Sequence, residues 1–269
     1  MTRRTALAAN LVMLVLLSAC ANGEPAPTRS PLPYPTIPQV TATPSAAPTG
    51  TAPPGTPPTK PNRKKPAKRG TVGPLNTQRL TGTRAVALTF DDGPHPQWTP
   101  KLLDQLRRAR VRATFCVVGV KVRKYPALVR RIAREGHSLC NHSWQHDLKL
   151  GSRKSDQIRA DLSRTSQEIR RAVPGAEIRY YRQPGGKWTP SVVAVARSLG
   201  MRSLHWDVDP TDWDKKTTTP QIRGRIAQQA RPGSIVLLHD GGGDRSRTIG
   251  ACPQVISSLK RKYGITLLR

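Results

Sequence analysis

At 269 residues with a formal net charge of +29, the chain is long enough for one sizeable domain and basic enough to attract polyanions. Only 4% of the residues are aromatic, and no helix-turn-helix or zinc-finger pattern accompanies the charge, which argues against nucleic-acid recognition. No apolar run is long enough to cross roughly 30 Å of hydrocarbon on its own.

Arg3 and Arg4 precede an apolar run from about Ala6 to Leu17, followed by Ser18, Ala19 and Cys20. A basic start, a short apolar core and small residues before a cut site make a secretory signal. Leu17-Ser18-Ala19-Cys20 resembles the lipobox of bacterial lipoproteins. That resemblance implies a signal peptide over 1–19, a mature chain starting at a lipidated Cys20, and attachment to the outer face of the cell membrane. An ordinary signal peptide ending near a cysteine is the alternative, and it too predicts export. Residues 20–82 are rich in Pro, Thr, Ala and Ser and poor in residues that build a core, so they are expected to be a disordered tether. Extended polyproline geometry, at about 3.1 Å per residue, would give such a tether a reach on the order of 150 Å. It ends in a basic run from Lys60 to Arg69, for which anionic wall polymers or lipid headgroups are the expected partners. Arginines merely solvated on outer helix faces explain the charge equally well.

From residue 83 to 269 the pattern changes to apolar strands alternating with amphipathic helices. Strands are predicted over 84–90, 113–119, 137–141, 178–181, 203–208, 234–238 and 264–268. Leu102, Leu103 and Leu106 mark one helical stripe, and Leu128, Val129 and Ile132 a second. Ile158, Leu162 and Ile169 form a third, and Val192, Val193, Val195 and Leu199 a fourth. Thr99-Pro100, Thr189-Pro190 and Thr219-Pro220 are predicted helix starts, because threonine caps free N–H groups and proline is tolerated at the first helical position. Gly136 and Gly200 fall where helices should end. Repeated β–α units of this length predict a single α/β domain, a parallel sheet or barrel covered by helices.

Reactive side chains gather at the ends of the predicted strands. Asp91 and Asp92 follow Phe90, His142 and His146 follow Asn141, Arg182 follows Tyr181, Asp209 follows Val208, and His239 follows Leu238. In a parallel barrel those ends converge on one mouth. His142 and His146, at i and i+4, would share one face of a helical turn and grip one metal. A zincin would carry Glu after the first histidine, but Ser143 stands there. A third ligand and a base must then come from elsewhere, and the Asp91-Asp92 pair supplies both. Alone the histidine pair reads as structural; beside the aspartates it reads as catalytic.

Thr89-Phe90-Asp91-Asp92-Gly93-Pro94 and His142-Ser143-Trp144-Gln145-His146 resemble the first two motifs of the polysaccharide deacetylase family, also known as the NodB-homology or carbohydrate esterase family 4 group. Arg182-Gln183-Pro184-Gly185-Gly186, Asp209-Pro210-Thr211-Asp212-Trp213 and Leu237-Leu238-His239 match three further motifs in order. The resemblance implies a distorted (β/α) barrel with fewer than eight strands. It implies a divalent metal on Asp92, His142 and His146, usually zinc, with cobalt or manganese as alternatives. Asp91 would be the base, oriented by Arg182. His239 would be the acid, held by Asp209. Gly185 would supply an oxyanion N–H, and Trp213 and Leu237 the acetyl pocket. The implied reaction removes N-acetyl groups from a cell-surface polysaccharide, peptidoglycan first, with chitin oligomers or acetylated xylan as alternatives. Two positions depart from the pattern. Gln183 stands where the family usually has proline, and Gly185 where it usually has an aromatic. The missing ring removes one wall of the substrate groove, which bears on substrate preference more than on catalysis.

With Cys20 lipidated, Cys116, Cys140 and Cys252 remain. Cys116 and Cys140 fall on consecutive predicted strands, so an exported chain is expected to bridge them and leave Cys252 free; buried free thiols are the alternative. A monomer is expected. Two readings from other classes compete: a barrel that only binds the wall, and a glycosidase. Glycosidase carboxylates need about 5 Å or more across a sugar, which adjacent aspartates with two histidines fit poorly.

Overall fold

The computed structural model describes residues 70–269. The expected signal peptide, Cys20 and most of the expected tether lie outside the described residues. Six strands, Ala87–Asp91 (β1), Thr114–Val117 (β2), Ser138–Asn141 (β3), Tyr180–Tyr181 (β4), Arg202–Ser203 (β5) and Ile235–His239 (β6), form one sheet in the order β5-β4-β3-β2-β1-β6. Every neighbouring pair is parallel. The helices are Trp98–Ala109 (α1), Gly119–Lys124 (α2), Pro126–Arg134 (α3), Ser155–Ala172 (α4), Pro190–Ser198 (α5), Thr219–Gln229 (α6) and Ser246–Tyr263 (α7). The sheet curls until Val208 bridges Val236, where the Leu237 N–H donates to Val208 O at 2.9 Å. This is the distorted barrel with fewer than eight strands that the motifs imply.

Period-two alternation decides what each strand presents to each side. Leu88 and Phe90 of β1 face outward into a core shared with Leu102, Leu103 and Leu106 of α1 and with Val129 and Ile132 of α3. Ala87 belongs to a smaller interior cluster with Cys116, Cys140 and Ile235. The same alternation carries Thr89 and Asp91 inward, so β1 ends with a carboxylate at the barrel mouth. Fully burying one such leucine stabilises the fold by roughly 1.5–3 kcal/mol. Cys116 and Cys140 are register partners on β2 and β3, 4.2 Å apart at Cα, and are joined as a disulfide; Cys252 is free and buried.

The structure corrects several local expectations. Residues 264–268 form no strand; Ile265 makes a single bridge to Val86. The predicted strand 203–208 is strand only at its start. It pairs with β4 there and with β6 at Val208, so no one neighbour accompanies it along its length. Thr189 caps α5 by accepting from the Val192 N–H, but α6 is capped by Thr218 rather than Thr219, and Thr99 lies inside α1. The tether boundary at 82 also moves. Gln78 bridges Leu204, Leu80 bridges Ser234, Thr77 is buried, and Arg79 pairs with Asp207 at 2.9 Å. Residues 70–82 therefore belong to the folded body, at the end where the strands begin.

Candidate active site

Asp91 closes β1, and Arg182 stands one residue beyond β4 with its guanidinium fully buried. Arg182 Nη1 donates to Asp91 Oδ1 at 2.7 Å and to Thr89 Oγ1 at 2.8 Å. Its Nε and Nη2 donate to Leu204 O at 3.2 Å and His205 O at 3.1 Å. With its donors spread over those acceptors, the fork holds the Asp91 carboxylate in one orientation.

Asp92 leaves β1 with φ +70, a left-handed conformation that costs a non-glycine residue about 1–2 kcal/mol. Two contacts hold it there. Lys121 Nζ donates to Asp92 O at 2.6 Å, and Gly241 and Gly242 give it room. A Cβ at Gly242 would stand 2.3 Å from Asp92 Oδ2, and one at Gly241 would stand 2.1 Å from Asp92 O. No signal at Lys121 or these glycines suggested this from sequence.

His142 and His146 do not share a helical turn. The segment after β3 is an irregular loop with φ +64 at Ser143 and φ +61 at His146, shaped by Asn141 Oδ1 accepting from Ser143 N and Ser143 Oγ accepting from His146 N. The pair still converges. His142 Nδ1–H donates to Arg182 O at 2.8 Å, which leaves Nε2 as a lone pair facing the site. The two Nε2 atoms lie 3.3 and 3.1 Å from Asp92 Oδ1, and the three candidate ligand atoms all fall within 4.8 Å of one another. Asp92 Oδ1 is buried without a hydrogen bond. Burial pushes the Asp92 carboxyl up, but the surrounding imidazoles, His142 first, outweigh it and hold it well below the usual carboxylate range. Burial holds His146 below its ordinary value despite Asp92. Burial opposes charge on His142 too, yet Asp91 and Asp92 push it up. A divalent cation would satisfy the same carboxylates without that proton, so the donor set fits a metal.

Beside Asp91, His239 is its register partner on the neighbouring strand β6. The sequence expectation that Asp209 holds His239 is corrected. His239 Nδ1 pairs with Asp212 Oδ1 at 2.7 Å, while Asp212 Oδ2 accepts from the His239 backbone N–H at 3.0 Å and from Thr248 Oγ1 at 2.8 Å. Burial opposes charge on His239, but Asp212 outweighs it and raises the imidazole to about 9. Asp209 instead accepts from Thr211 N at 2.7 Å and from Trp213 Nε1 at 3.4 Å, so it shapes the loop that presents Trp213. The spacing of Asp209-Pro210-Thr211-Asp212-Trp213 offers both carboxylates. Only the turn at Thr211, φ +55, decides which one reaches the histidine.

A cavity of about 380 Å³ joins these groups, lined by Asp91, Asp92, His142, His146, Gly185, Asp209, Trp213, Leu237 and His239, and also by Leu148, Gln183 and Trp206. A larger hollow of about 540 Å³ lies between residues 71–82 and α5, away from any of this chemistry. Gly185 is exposed at φ +61, and a Cβ there would meet Leu148 Cδ2 at 3.0 Å. Leu148 thus occupies the space beside the position where the motif lacks its ring. Trp206 packs on Gly186, whose added Cβ would lie 2.6 Å from the indole. Leu148 and Trp206 sit outside the quoted motifs, and nothing in their spacing marked them.

The Polysaccharide deacetylase family profile matches residues 78–204. A chitooligosaccharide deacetylase from Bradyrhizobium sp. is 40% identical over 68% of this chain and 88% of its own length. Among solved structures, a peptidoglycan N-acetylglucosamine deacetylase superposes with TM-score 0.66 at 32% identity, covering 70% of this chain and 87% of that one. A carbohydrate esterase family 4 pseudoenzyme from Bacillus anthracis superposes with TM-score 0.63 at 28% identity, covering 69% of this chain but only 64% of that one. The chain belongs to the polysaccharide deacetylase family.

Proposed function

We propose that this chain is a metal-dependent hydrolase that removes N-acetyl groups from amino sugars of an envelope polysaccharide, peptidoglycan before chitin oligomers. The observation that carries the reading is the convergence of Asp92, His142 and His146 beside an Arg182-pinned Asp91 and an Asp212-paired His239. Asp92, His142 and His146 would hold the cation, zinc first, which supplies Lewis acidity and a water acidic enough to attack at neutral pH. Asp91, its carboxylate kept aimed by Arg182, is the base placed to take a proton from an attacking water. His239, charged through Asp212, delivers a proton to the amine nitrogen as the C–N bond breaks; an amide needs this more than an ester does. Gly185 lines the cavity, and its N–H would supply the oxyanion contact. Trp213 and Leu237 enclose the acetyl methyl. The relatives named for chitin oligomers and for peptidoglycan support an N-acetylated sugar. The expected export and lipidation at Cys20 favour the cell's own wall.

The test is acetate release from peptidoglycan and from N-acetylglucosamine oligomers by metal-free, zinc-loaded and Asp91→Asn protein. Zinc-dependent release that disappears in the variant supports the reading. Bound zinc and a folded chain with no acetate from any acetylated polymer would favour a wall-binding role instead, an outcome made concrete by the pseudoenzyme among the structural neighbours.

A further inference from the structure

In a βα unit the helix runs back from the mouth, so helix C-termini and strand starts share the opposite end of the barrel. The last turns of α1, α3, α4, α5 and α7 there all carry Arg or Lys. Cations near helix carbonyls complement the helix dipole, which explains one or two per helix. It does not explain their merging into one field. Lys260 Nζ of α7 donates to Ala109 O of α1 at 2.7 Å, and a Cβ at Gly136, just past α3, would meet Arg112 Nε at 3.0 Å. The ends of α7, α1 and α3 are therefore contiguous. They expose Arg108, Arg110, Arg112, Arg134, Arg261 and Lys262, none of which is in a salt bridge among the described residues. The nearest carboxylates are already engaged: Glu135 and Asp104 both bind Arg131, at 2.7 and 2.6 Å.

The chain also enters at this end. Gly70 O accepts from Arg231 Nη2 at 2.8 Å, and Leu80 bridges Ser234 just ahead of β6. The residues immediately before it include Arg63-Lys64-Lys65 and Lys68-Arg69, which extend the same charge along the sequence. A cluster of carboxylates lies at the other pole, where Asp91, Asp92, Asp209, Asp212, Asp240 and Asp244 sit at or beyond strand ends, whereas Asp207, Glu135 and Asp104 at the strand-start end are each paired with arginine.

We propose that the strand-start end of the barrel is a docking face for an anionic phospholipid bilayer, holding the catalytic mouth turned away from the lipid. Helix ends that finish side by side present guanidinium groups over a broad face, which suits a layer of phosphates, and each basic residue near such a surface adds to the attraction. The face acts whether or not Cys20 carries a lipid.

The experiment uses the unlipidated Cys20→Ser chain and phosphatidylcholine vesicles with and without phosphatidylglycerol. The face variant combines Arg108→Glu, Arg110→Glu, Arg261→Glu and Lys262→Glu. A control of equal charge change at the mouth end combines Lys101→Glu, Lys154→Glu, Lys215→Glu and Lys216→Glu. Binding to phosphatidylglycerol vesicles is expected to fall at least about tenfold in the face variant and within about twofold in the control. Thermal unfolding and acetate release from soluble oligomers verify that the face variant is folded. Equal losses in both variants would reduce the effect to net charge and overturn the proposal. So would an unchanged face variant, or tighter binding of soluble polyphosphate than of vesicles through the same residues.

Discussion

The His239–Asp212 pair turns a histidine that burial would keep neutral into one that stays charged up to about pH 9. If the charged form is the acid, activity falls as pH rises through that value. Asp212→Asn removes the charge that opposes burial, so the alkaline limb of the pH–rate profile is expected to move to lower pH, with kcat reduced by roughly 10²-fold. Asp209→Asn is expected to leave that limb in place and raise KM through the loosened Trp213. A shift of the limb in Asp209→Asn rather than Asp212→Asn would contradict the assignment. The motif spacing displays both aspartates, but the choice between them rests on a left-handed turn at Thr211 that no spacing encodes.

At the scale of loops and helices, the metal ligands depend on backbone that regular patterns do not describe. Asp92 is left-handed beside Gly241 and Gly242, and His146 is left-handed in an irregular loop. Gly242→Ala places a methyl group against Asp92 at φ +75, so zinc affinity measured by chelator competition is expected to drop at least about tenfold. Destabilisation should stay near about 1–2 kcal/mol, the cost of a side chain in that conformation. Retained affinity would show that the loop yields. Thr218→Ala, which removes the hydroxyl that accepts from Gln221 N at 3.4 Å, is expected to cost about 1 kcal/mol in a denaturant melt. The four apolar stripes read from sequence all became helices, because each buries its stripe against the sheet. The long α7 leaves no clear periodic signal because Gly250 and Pro253 interrupt its sequence, while Cys252, Val255, Ile256 and Leu259 still bury one face.

For the whole molecule, parallel strands explain why distant polar residues are readable as one site: the strand ends and the residues just beyond them open at the same mouth. What sequence could not supply was closure. The Val208–Val236 bridge and residues 70–82 join segments with no shared pattern, so apolar alternation alone overextends the strand at 203–208 and starts the domain too late. The Cys116–Cys140 bridge spans a separation of 24 residues, so reduction is expected to lower stability by about 3 kcal/mol in the loop-entropy model, read as a lower Tm. Cys140→Ser should reproduce that loss without further change on reduction, since Cys252 is buried and burial raises its thiol.

The barrel floor carries a timing consequence. Of the described residues, 70–82 emerge before the rest, yet their partners Asp207 and Ser234 come far later, and the Arg79–Asp207 contact alone spans 128 residues. Asp91 is likewise completed by β6, with Thr89 bonding Val236 across 147 residues. Contacts of such range form slowly and late. A nascent chain therefore lacks both its floor and half its catalytic mouth until β6 has appeared. Whatever protects the growing polypeptide must do so for nearly its entire synthesis.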